Sequence, residues 1–254
     1  MADLLALVFI AAAGLSTALG GIPLVAIRHL THRRHDTILG FVGGVMLGVA
    51  VFDLFLHLTT HSGQNWLVIV VGTLAGAVTI VVLVRVFMRL PLPMPFANNS
   101  KSLTAGSAAL LFLALVIHNA PEGLATGVGY ADGVTKLGNS IGLSIAFQNI
   151  PEGLLVGIAV MSEAGSWKSG FKYAALSGLV EPVAGYIAFF TLTLSPQTLG
   201  FVSAFAGGAM LSVVFTQVIP ESHRHGYHVP ATLALLLGVA AAAGINLLLG
   251  QLSF

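Results

Sequence analysis

Two stretches of the chain decide its fold: HNAPEG at residues 118–123 and QNIPEG at residues 148–153. The second stretch repeats the first thirty residues later, and each lies within a long apolar run. Consecutive membrane-spanning helices joined by a short loop run in opposite directions, so the repeat presents one polar pattern from two antiparallel helices. We expect these two helices, packed face to face, to enclose one pseudo-symmetric polar site.

The composition of the whole chain predicts a membrane protein. Of its 254 residues, 56% are hydrophobic and 7% are charged, whereas an ordinary soluble domain has roughly 25% charged residues. A helix that spans a bilayer needs about 20 mostly apolar residues. We therefore predict an all-α integral membrane protein, with a single transmembrane domain over residues 1–254. Its eight predicted spans are 4–27, 37–59, 66–88, 104–129, 138–161, 173–194, 198–219 and 230–251.

The charged residues predict the orientation of these spans. Nine of the ten Lys and Arg residues lie in loops that follow odd-numbered spans or, for Arg85, near the end of such a span, and only Lys136 lies on the side of the termini. Cytoplasmic loops carry the excess of Lys and Arg, so both termini are expected to be extracytoplasmic. The formal net charge of +1 provides no basic patch to replace the counterions of a phosphate backbone, which argues against a nucleic-acid partner.

Three carboxylates fall well inside predicted spans: Glu122, Glu152 and Glu181 in the fourth, fifth and sixth. No Lys or Arg occupies the interior of any predicted span. A charged side chain at the centre of a bilayer costs at least about 2.5–3.5 kcal/mol, so each carboxylate must be protonated, hydrated or paired with a cation. With three acids and no basic partner, a cation bound from solution is the simplest interpretation.

The spacing within each motif places its polar residues on one helix face. His118 and Glu122 are four residues apart, as are Gln148 and Glu152, and residues at this spacing are neighbours on a helix surface. The absence of cysteine leaves imidazole, carboxylate and amide groups, a set that suits Zn²⁺, Fe²⁺, Mn²⁺, Co²⁺ or Cd²⁺. The candidate metal ligands are His118, Asn119, Glu122, Gln148, Asn149, Glu152 and Glu181.

Proline and glycine in the motifs predict local features of the helices. Pro121 and Pro151 each remove one helical hydrogen bond, which frees the carbonyl four residues earlier as an oxygen ligand. Gly123 and Gly153 are expected to keep the space beside each carboxylate open. A further glycine series with a four-residue stagger predicts close helix packing, and its members are Gly40, Gly44 and Gly48.

Weaker candidates lie near the ends of the predicted spans. Asp53 and His57, four residues apart near the outer end of the second span, suit a metal entrance, but a solvated helix end explains them almost as well. Glu221 and His223 in the last inner loop suit a metal exit. Other histidines on this side could also receive metal or could simply be solvated: His29, His32, His35, His225 and His228.

The paired HNxPEG and QNxPEG motifs, followed by Glu181-Pro182 one span later, resemble those of the ZIP (Zrt-/Irt-like protein) family of divalent metal transporters, in its GufA-like prokaryotic branch. The resemblance implies import of a divalent transition metal, most simply Zn²⁺, into the cytoplasm as transported substrate, with no catalytic cofactor. It also implies a homodimer in the prokaryotic cytoplasmic (inner) membrane that works by elevator-like alternating access.

Carried over by residue, the resemblance implies two adjacent metal positions that share Glu122 and Glu152. The first position adds His118 and Gln148, and the second is completed by Asn119, Asn149 and Glu181. The chain also departs from the family. Residues 91–103 contain no histidine, Gln148 stands where many relatives have His, and Thr216 and Gln217 precede the Ile-Pro-Glu of span seven, where relatives often have His or an acid.

Two other functional classes stay open at this point. A proton-relay transporter for an organic solute would use the buried glutamates as proton carriers, but it leaves the paired His/Gln and Asn residues unexplained. An intramembrane metallohydrolase would need a zinc-bound water and a general base. The helical His-Glu-x-x-His signature of such enzymes is absent from the sequence, so we do not expect an enzyme.

Overall fold

The computed structural model describes residues 2–27, 29–56, 58, 65–87, 107–194 and 198–251. All regular structure within these ranges is helical, as the composition predicts. In chain order the helices are α1 (Ala2–Gly20), α2 (His32–Gly48), α3 (Trp66–Phe87), α4 (Ser107–Gly129), α5 (Lys136–Ala164), α6 (Trp167–Gly178), α7 (Val180–Leu194), α8 (Leu199–Val213), α9 (Ile219–Ser222) and α10 (His228–Gln251).

Seven segments of the described chain are long and apolar enough to cross a bilayer, which makes this an integral membrane protein by helix length and composition. They are Asp3–Val25, His32–Phe55, Trp66–Val86, Lys136–Ala164, Trp167–Leu192, Leu199–Ser222 and His228–Leu249. Helix α4, with 23 residues, is a further long helix that is not one of these seven. The count of eight spans and the position of the termini stay predictions.

The sixth predicted span is divided into two helices. Helix α6 ends at Gly178 and α7 begins at Val180, so the chain is interrupted at Leu179. Pro182 explains the interruption, because it has no backbone N–H and its ring clashes with the carbonyl four residues earlier. The break places Glu181 in the first turn of α7, directly before this proline.

Two helices continue into π-helical segments that the sequence analysis did not predict. Helix α2 extends through Val49–Phe55, which includes Asp53. Helix α8 extends through Val214–Val218, which includes Gln217. Single π-helical turns inside longer helices occur frequently at functional sites, and both segments here contain a polar residue that faces another helix.

The glycine series on α2 packs against α10, as its spacing predicts. A Cβ atom on Gly44 would collide with the carbonyl oxygen of Leu235, and one on Gly48 would lie 2.5 Å from the Cβ of Ala242. Residue numbers increase together along the two helices, because Gly40 meets Ala231, Gly44 meets Leu235 and Gly48 meets Ala242. Helices α2 and α10 therefore run parallel. Their first turns therefore lie at the same end of the bundle.

The glycines of the two motifs also serve helix packing, so the prediction that they keep space open is wrong. A Cβ atom on Gly123 would collide with the backbone oxygen of Glu181, and one on Gly153 would collide with that of Thr17. Glycine permits these backbones to approach closely because it has no side chain. The two glycines therefore hold α4 against α7 and α5 against α1.

We predict that Gly44→Ala destabilises the protein while Gly244→Ala does not. Both positions are in helices, where alanine is favoured over glycine by about 1 kcal/mol. Inserting a methyl group into a closely packed contact costs about 1–3 kcal/mol, and only Gly44 has such a contact, since nothing lies within 4 Å of a Cβ on Gly244. Thermal unfolding in detergent should show a lower midpoint for Gly44→Ala alone. Equal midpoints for the two variants would contradict the packing described.

Candidate metal centre

The seven predicted ligands lie on three helices and point into the protein. Their side chains are buried, with no residue more than 5% exposed. Helix α4 contributes His118, Asn119 and Glu122, helix α5 contributes Gln148, Asn149 and Glu152, and helix α7 contributes Glu181. The structure therefore places all seven in the interior, between the fourth, fifth and sixth predicted spans.

Glu122 and Glu152 are the unusual members of this group. Neither is more than 1% exposed, and none of their four carboxylate oxygens has a hydrogen-bond partner among the described residues. Removing an ionised carboxylate from water costs several kcal/mol unless it is paired and hydrogen-bonded. The arrangement therefore favours a bound cation.

The two asparagines use their NH₂ groups to hold the site together. Asn119 Nδ2 donates to the carbonyl oxygen of Ser177 at 2.8 Å. Asn149 Nδ2 lies 2.9 Å from the carbonyl oxygen of Ala13 and 2.8 Å from Glu181 Oε2. Both Oδ1 atoms are buried without a partner among the described residues. These orientations leave the amide oxygens, which are the metal-binding atoms of asparagine, available for a cation.

Glu181 differs from the other two acids because its carboxylate accepts hydrogen bonds. Asn149 Nδ2 donates to both of its oxygens, at 2.9 and 2.8 Å. Thr17 Oγ1 on α1 lies 3.3 Å from Glu181 Oε1. In this structure Glu181 therefore orients Asn149 and links α5, α7 and α1.

His118 contacts a residue that the sequence analysis noted only as a departure from the family. Its Nε2 atom lies 2.8 Å from Gln217 Oε1, in the π-helical segment after α8. Since a carbonyl oxygen only accepts hydrogen bonds, this contact places the ring proton on Nε2 and the lone pair on Nδ1. The position of Gln217, immediately before Val218 and the Ile-Pro-Glu of span seven, was the signal that could have identified it.

The acids and the imidazole do not gather as tightly as a metal requires. Among the described residues, three ligand atoms of His, Asp or Glu lie within 4.8 Å of one another in one group, which consists of His35, Asp36 and His225. That group is outside the predicted site. At the predicted site, the Nε2 atom of His118 is hydrogen-bonded to Gln217 Oε1.

The predicted entrance and exit residues have different surroundings. Asp53 is fully buried and accepts a 2.6 Å hydrogen bond from Asn246 Nδ2 on α10, so the explanation of a solvated helix end is wrong for it. Ser140 on α5 lies beside the same carboxylate. His57 lies outside the described residues.

Glu221 and His223 do not form a shared site in the structure. Glu221 Oε1 pairs with Arg224 Nη1 at 3.2 Å on an exposed surface. His223 Nδ1 lies 2.9 Å from the carbonyl oxygen of Ile219, and its Nε2 lies 3.0 Å from Thr232 Oγ1. Both ring nitrogens are thus engaged in local hydrogen bonds, and the role of this pair in metal exit stays a prediction.

Comparison with known proteins places the chain among metal transporters. A family profile described as ZIP Zinc transporter matches residues 97–246, which include both motifs. The zinc transporter GufA of Myxococcus xanthus is 36% identical over 247 residues, covering 94% of this chain and 96% of that protein. The zinc transporter ZIPB of Bordetella bronchiseptica is 31% identical over 251 residues, covering 92% of this chain and 78% of that protein.

A human relative matches over a shorter region. The human zinc transporter ZIP11 is 38% identical over 148 residues, which cover 56% of this chain and 43% of that protein. These relatives are named as transporters, not as enzymes. From the profile match and the two prokaryotic relatives that cover most of its length, the chain belongs to the ZIP family, as a GufA-like prokaryotic member.

Proposed function

We propose that this protein imports divalent transition-metal ions, with Zn²⁺ as the main substrate, through the buried site on α4, α5 and α7. One observation carries the proposal: the carboxylate oxygens of Glu122 and Glu152 are buried in a membrane protein without a partner among the described residues. Such groups must be protonated, hydrated or paired with a cation, and a metal ion bound between them would pair both at once. The relatives named as zinc transporters support the choice of cation.

The ligand types favour an ion that passes through the site. Imidazole and carboxylate bind borderline divalent metals well. The other ligands, Gln148, Asn119 and Asn149, would bind through neutral amide oxygens, which are weak ligands for such metals. A mixed set of this kind would release its ion more readily than a structural zinc site of thiolates and imidazoles.

The proposed path crosses the bundle from one end to the other. The ion enters near Asp53 and His57. It then binds at a first metal position, whose ligands are His118, Glu122, Gln148 and Glu152. Asn119, Asn149 and Glu181 complete an adjacent position that shares the two central glutamates, so two ions can be bound together. The ion leaves towards Glu221 and His223 when α4 and α5 become exposed inward in an elevator-like movement.

The direction of transport follows from the proposed orientation. With both termini extracytoplasmic, the histidine-rich end of the bundle and nine of the ten Lys and Arg residues face the cytoplasm. An inside-negative potential contributes about 2.3 kcal/mol per charge per 100 mV, and a divalent ion gains roughly twice that on entry. The membrane potential and the metal gradient would drive uptake by a homodimer in the prokaryotic cytoplasmic membrane.

We predict that Glu152→Gln lowers metal uptake more than about tenfold. Losing a residue that only hydrogen-bonds to a metal ligand already costs about 10–100-fold in affinity or activity, and Glu152 is a proposed ligand itself. The measurement is Zn²⁺ uptake into proteoliposomes that contain a metal-sensitive dye, at an inside-negative potential. Glu163→Gln is the matched control, since Glu163 is on the same helix but outside the proposed site. It should transport at the rate of the unaltered protein.

Two results would contradict the proposed function. One is uptake by purified Glu152→Gln at the rate of the unaltered protein. The other is the absence of Zn²⁺, Cd²⁺, Fe²⁺, Mn²⁺ or Co²⁺ uptake by the unaltered protein above that of empty liposomes. Uptake of an organic solute that needs no metal would favour the proton-relay alternative.

We predict that Gln148→His shifts metal preference towards Zn²⁺. The substitution replaces a weak amide ligand by an imidazole, which binds zinc better. The measurement is competition between Zn²⁺ and Mn²⁺ for uptake by the two proteins under identical conditions. An unchanged ranking of the metals would exclude Gln148 as a ligand.

We predict that Gln217→Leu raises the KM for Zn²⁺ uptake by about tenfold or more. Gln217 accepts a hydrogen bond from His118 Nε2 at 2.8 Å, and partners of this kind orient a metal-binding imidazole. Thr216→Val is the control, because Thr216 is adjacent but its hydroxyl bonds to the carbonyl oxygen of Ser212. Equal KM values for Gln217→Leu and the unaltered protein would show that the contact does not serve metal binding.

A further inference from the structure

A second group of metal-binding side chains lies at the end of the bundle where α2 and α10 begin. His35 and Asp36 are in the first turns of α2, and His225 is in the turn between α9 and α10. One ligand atom from each residue lies within 4.8 Å of those from the other two. The three residues come from segments almost two hundred positions apart, and only the fold brings them together.

Hydrogen bonds join the ligand atoms of this group. His225 Nδ1 lies 2.8 Å and His35 Nδ1 lies 3.3 Å from Asp36 Oδ1, which accepts from both imidazoles. Zinc binds nitrogen and carboxylate oxygen at about 2.0–2.2 Å in tetrahedral geometry, which separates neighbouring ligand atoms by about 3.3–3.6 Å. A metal ion would replace the protons of these hydrogen bonds, and small rotations of the side chains would bring the ligand atoms to this spacing.

Asp36 is the anchor of this group. Its side chain is fully buried, and the two imidazoles are about a quarter exposed. Oδ1 faces both imidazoles, but Oδ2 is buried without a hydrogen-bond partner among the described residues. Since a buried carboxylate oxygen without a partner is costly, a cation held by this carboxylate and the imidazoles would stabilise the arrangement.

The backbone around the group is held in place by several features. The Thr31 side chain caps α2 by accepting a hydrogen bond from the Arg34 N–H at 3.3 Å. Gly226 has a φ of +86°, a conformation that glycine adopts readily and that returns the chain directly after His225. The close contact of α2 with α10 then holds the turn beside His35 and Asp36. The ligands therefore lie on a preformed frame.

A fourth ligand is available beside the group. The His32 ring stacks on the His225 ring, with 4.1 Å between the ring centroids. His32 is in the same first turn of α2 as His35, and a rotation of its side chain would bring a ring nitrogen towards the group. Three imidazoles and one carboxylate would complete a four-coordinate site for Zn²⁺ or a similar divalent ion.

We propose that His35, Asp36 and His225, with His32 as fourth ligand, form a second metal-binding site separate from the buried glutamates. Its ligand is a borderline divalent cation of the class Zn²⁺, Co²⁺ or Cd²⁺. The site receives ions that leave the transport site at the cytoplasmic end of the bundle. This role as an acceptor rests on the proposed function, whereas metal binding by the group does not.

The test measures metal binding by the purified full-length protein in detergent, with Co²⁺ for visible absorption spectra and Zn²⁺ for stoichiometry by equilibrium dialysis. The parent for all variants is Glu152→Ala, which weakens the proposed transport site. We expect the added substitution His225→Ala to remove about one bound metal ion per chain, together with the Co²⁺ absorption of a nitrogen- and oxygen-ligated site. Asp36→Asn should have the same effect.

The matched control is Tyr227→Ala in the same parent. Tyr227 is an exposed residue of the same turn and is not a proposed metal ligand, so the metal content should be unchanged. Because Asp36 is buried and its substitution could disturb folding, His35→Ala and gel filtration of each variant provide an independent check. Equal metal content and spectra in the parent, His225→Ala and His35→Ala would overturn the proposal.

Failure of this site can be distinguished from failure of the proposed transport function. If His225→Ala does not lower the metal content while the unaltered protein transports metal normally, the second site alone is rejected. His225-dependent binding in a protein that transports no metal would reject the transport function and retain the site, with its role as an acceptor withdrawn.

Discussion

The burial of Glu122 and Glu152 inside a membrane protein is the constraint on which the rest of the structure depends. Carboxylates at this depth are unfavourable unless a cation or hydrogen-bond donors compensate their charge. The described surroundings supply donors to Glu181, from Asn149 and Thr17, but none to the two central acids. This difference divides the site into a part held by the protein and a part suited to a cation.

Close helix packing makes that arrangement possible. Gly123 lets α4 contact the backbone of α7, and Gly153 lets α5 contact α1, so the polar side chains meet inside the bundle. The break at Leu179 places Glu181 at the start of α7, where Asn149 Nδ2 donates to both of its carboxylate oxygens. The asparagine NH₂ groups then fix the orientation of both amides, so that their oxygens are left for an ion.

The two ends of the bundle differ from its centre. Asp53 is in a π-helical segment and is held by Asn246, which places a buried acid on the proposed entry path. At the opposite end, histidines from two distant segments surround Asp36. If the proposed exit site binds metal, the ion has successive binding positions along the bundle, and the metal gradient and the membrane potential set the direction of net flux.

Much of the molecule follows from the sequence alone. The apolar runs determine a helical membrane protein, the repeated Pro-Glu-Gly motifs determine which helices carry the buried polar residues, and the glycine series on α2 determines a close helix contact, because each depends on spacing along a single helix. The tertiary structure alone decided that Gly123 and Gly153 receive neighbouring backbones, that Gln217 contacts His118, and that His225 lies beside Asp36. These contacts join residues from 58 to 189 positions apart, and local periodicity carries no information about which faces of distant helices will meet.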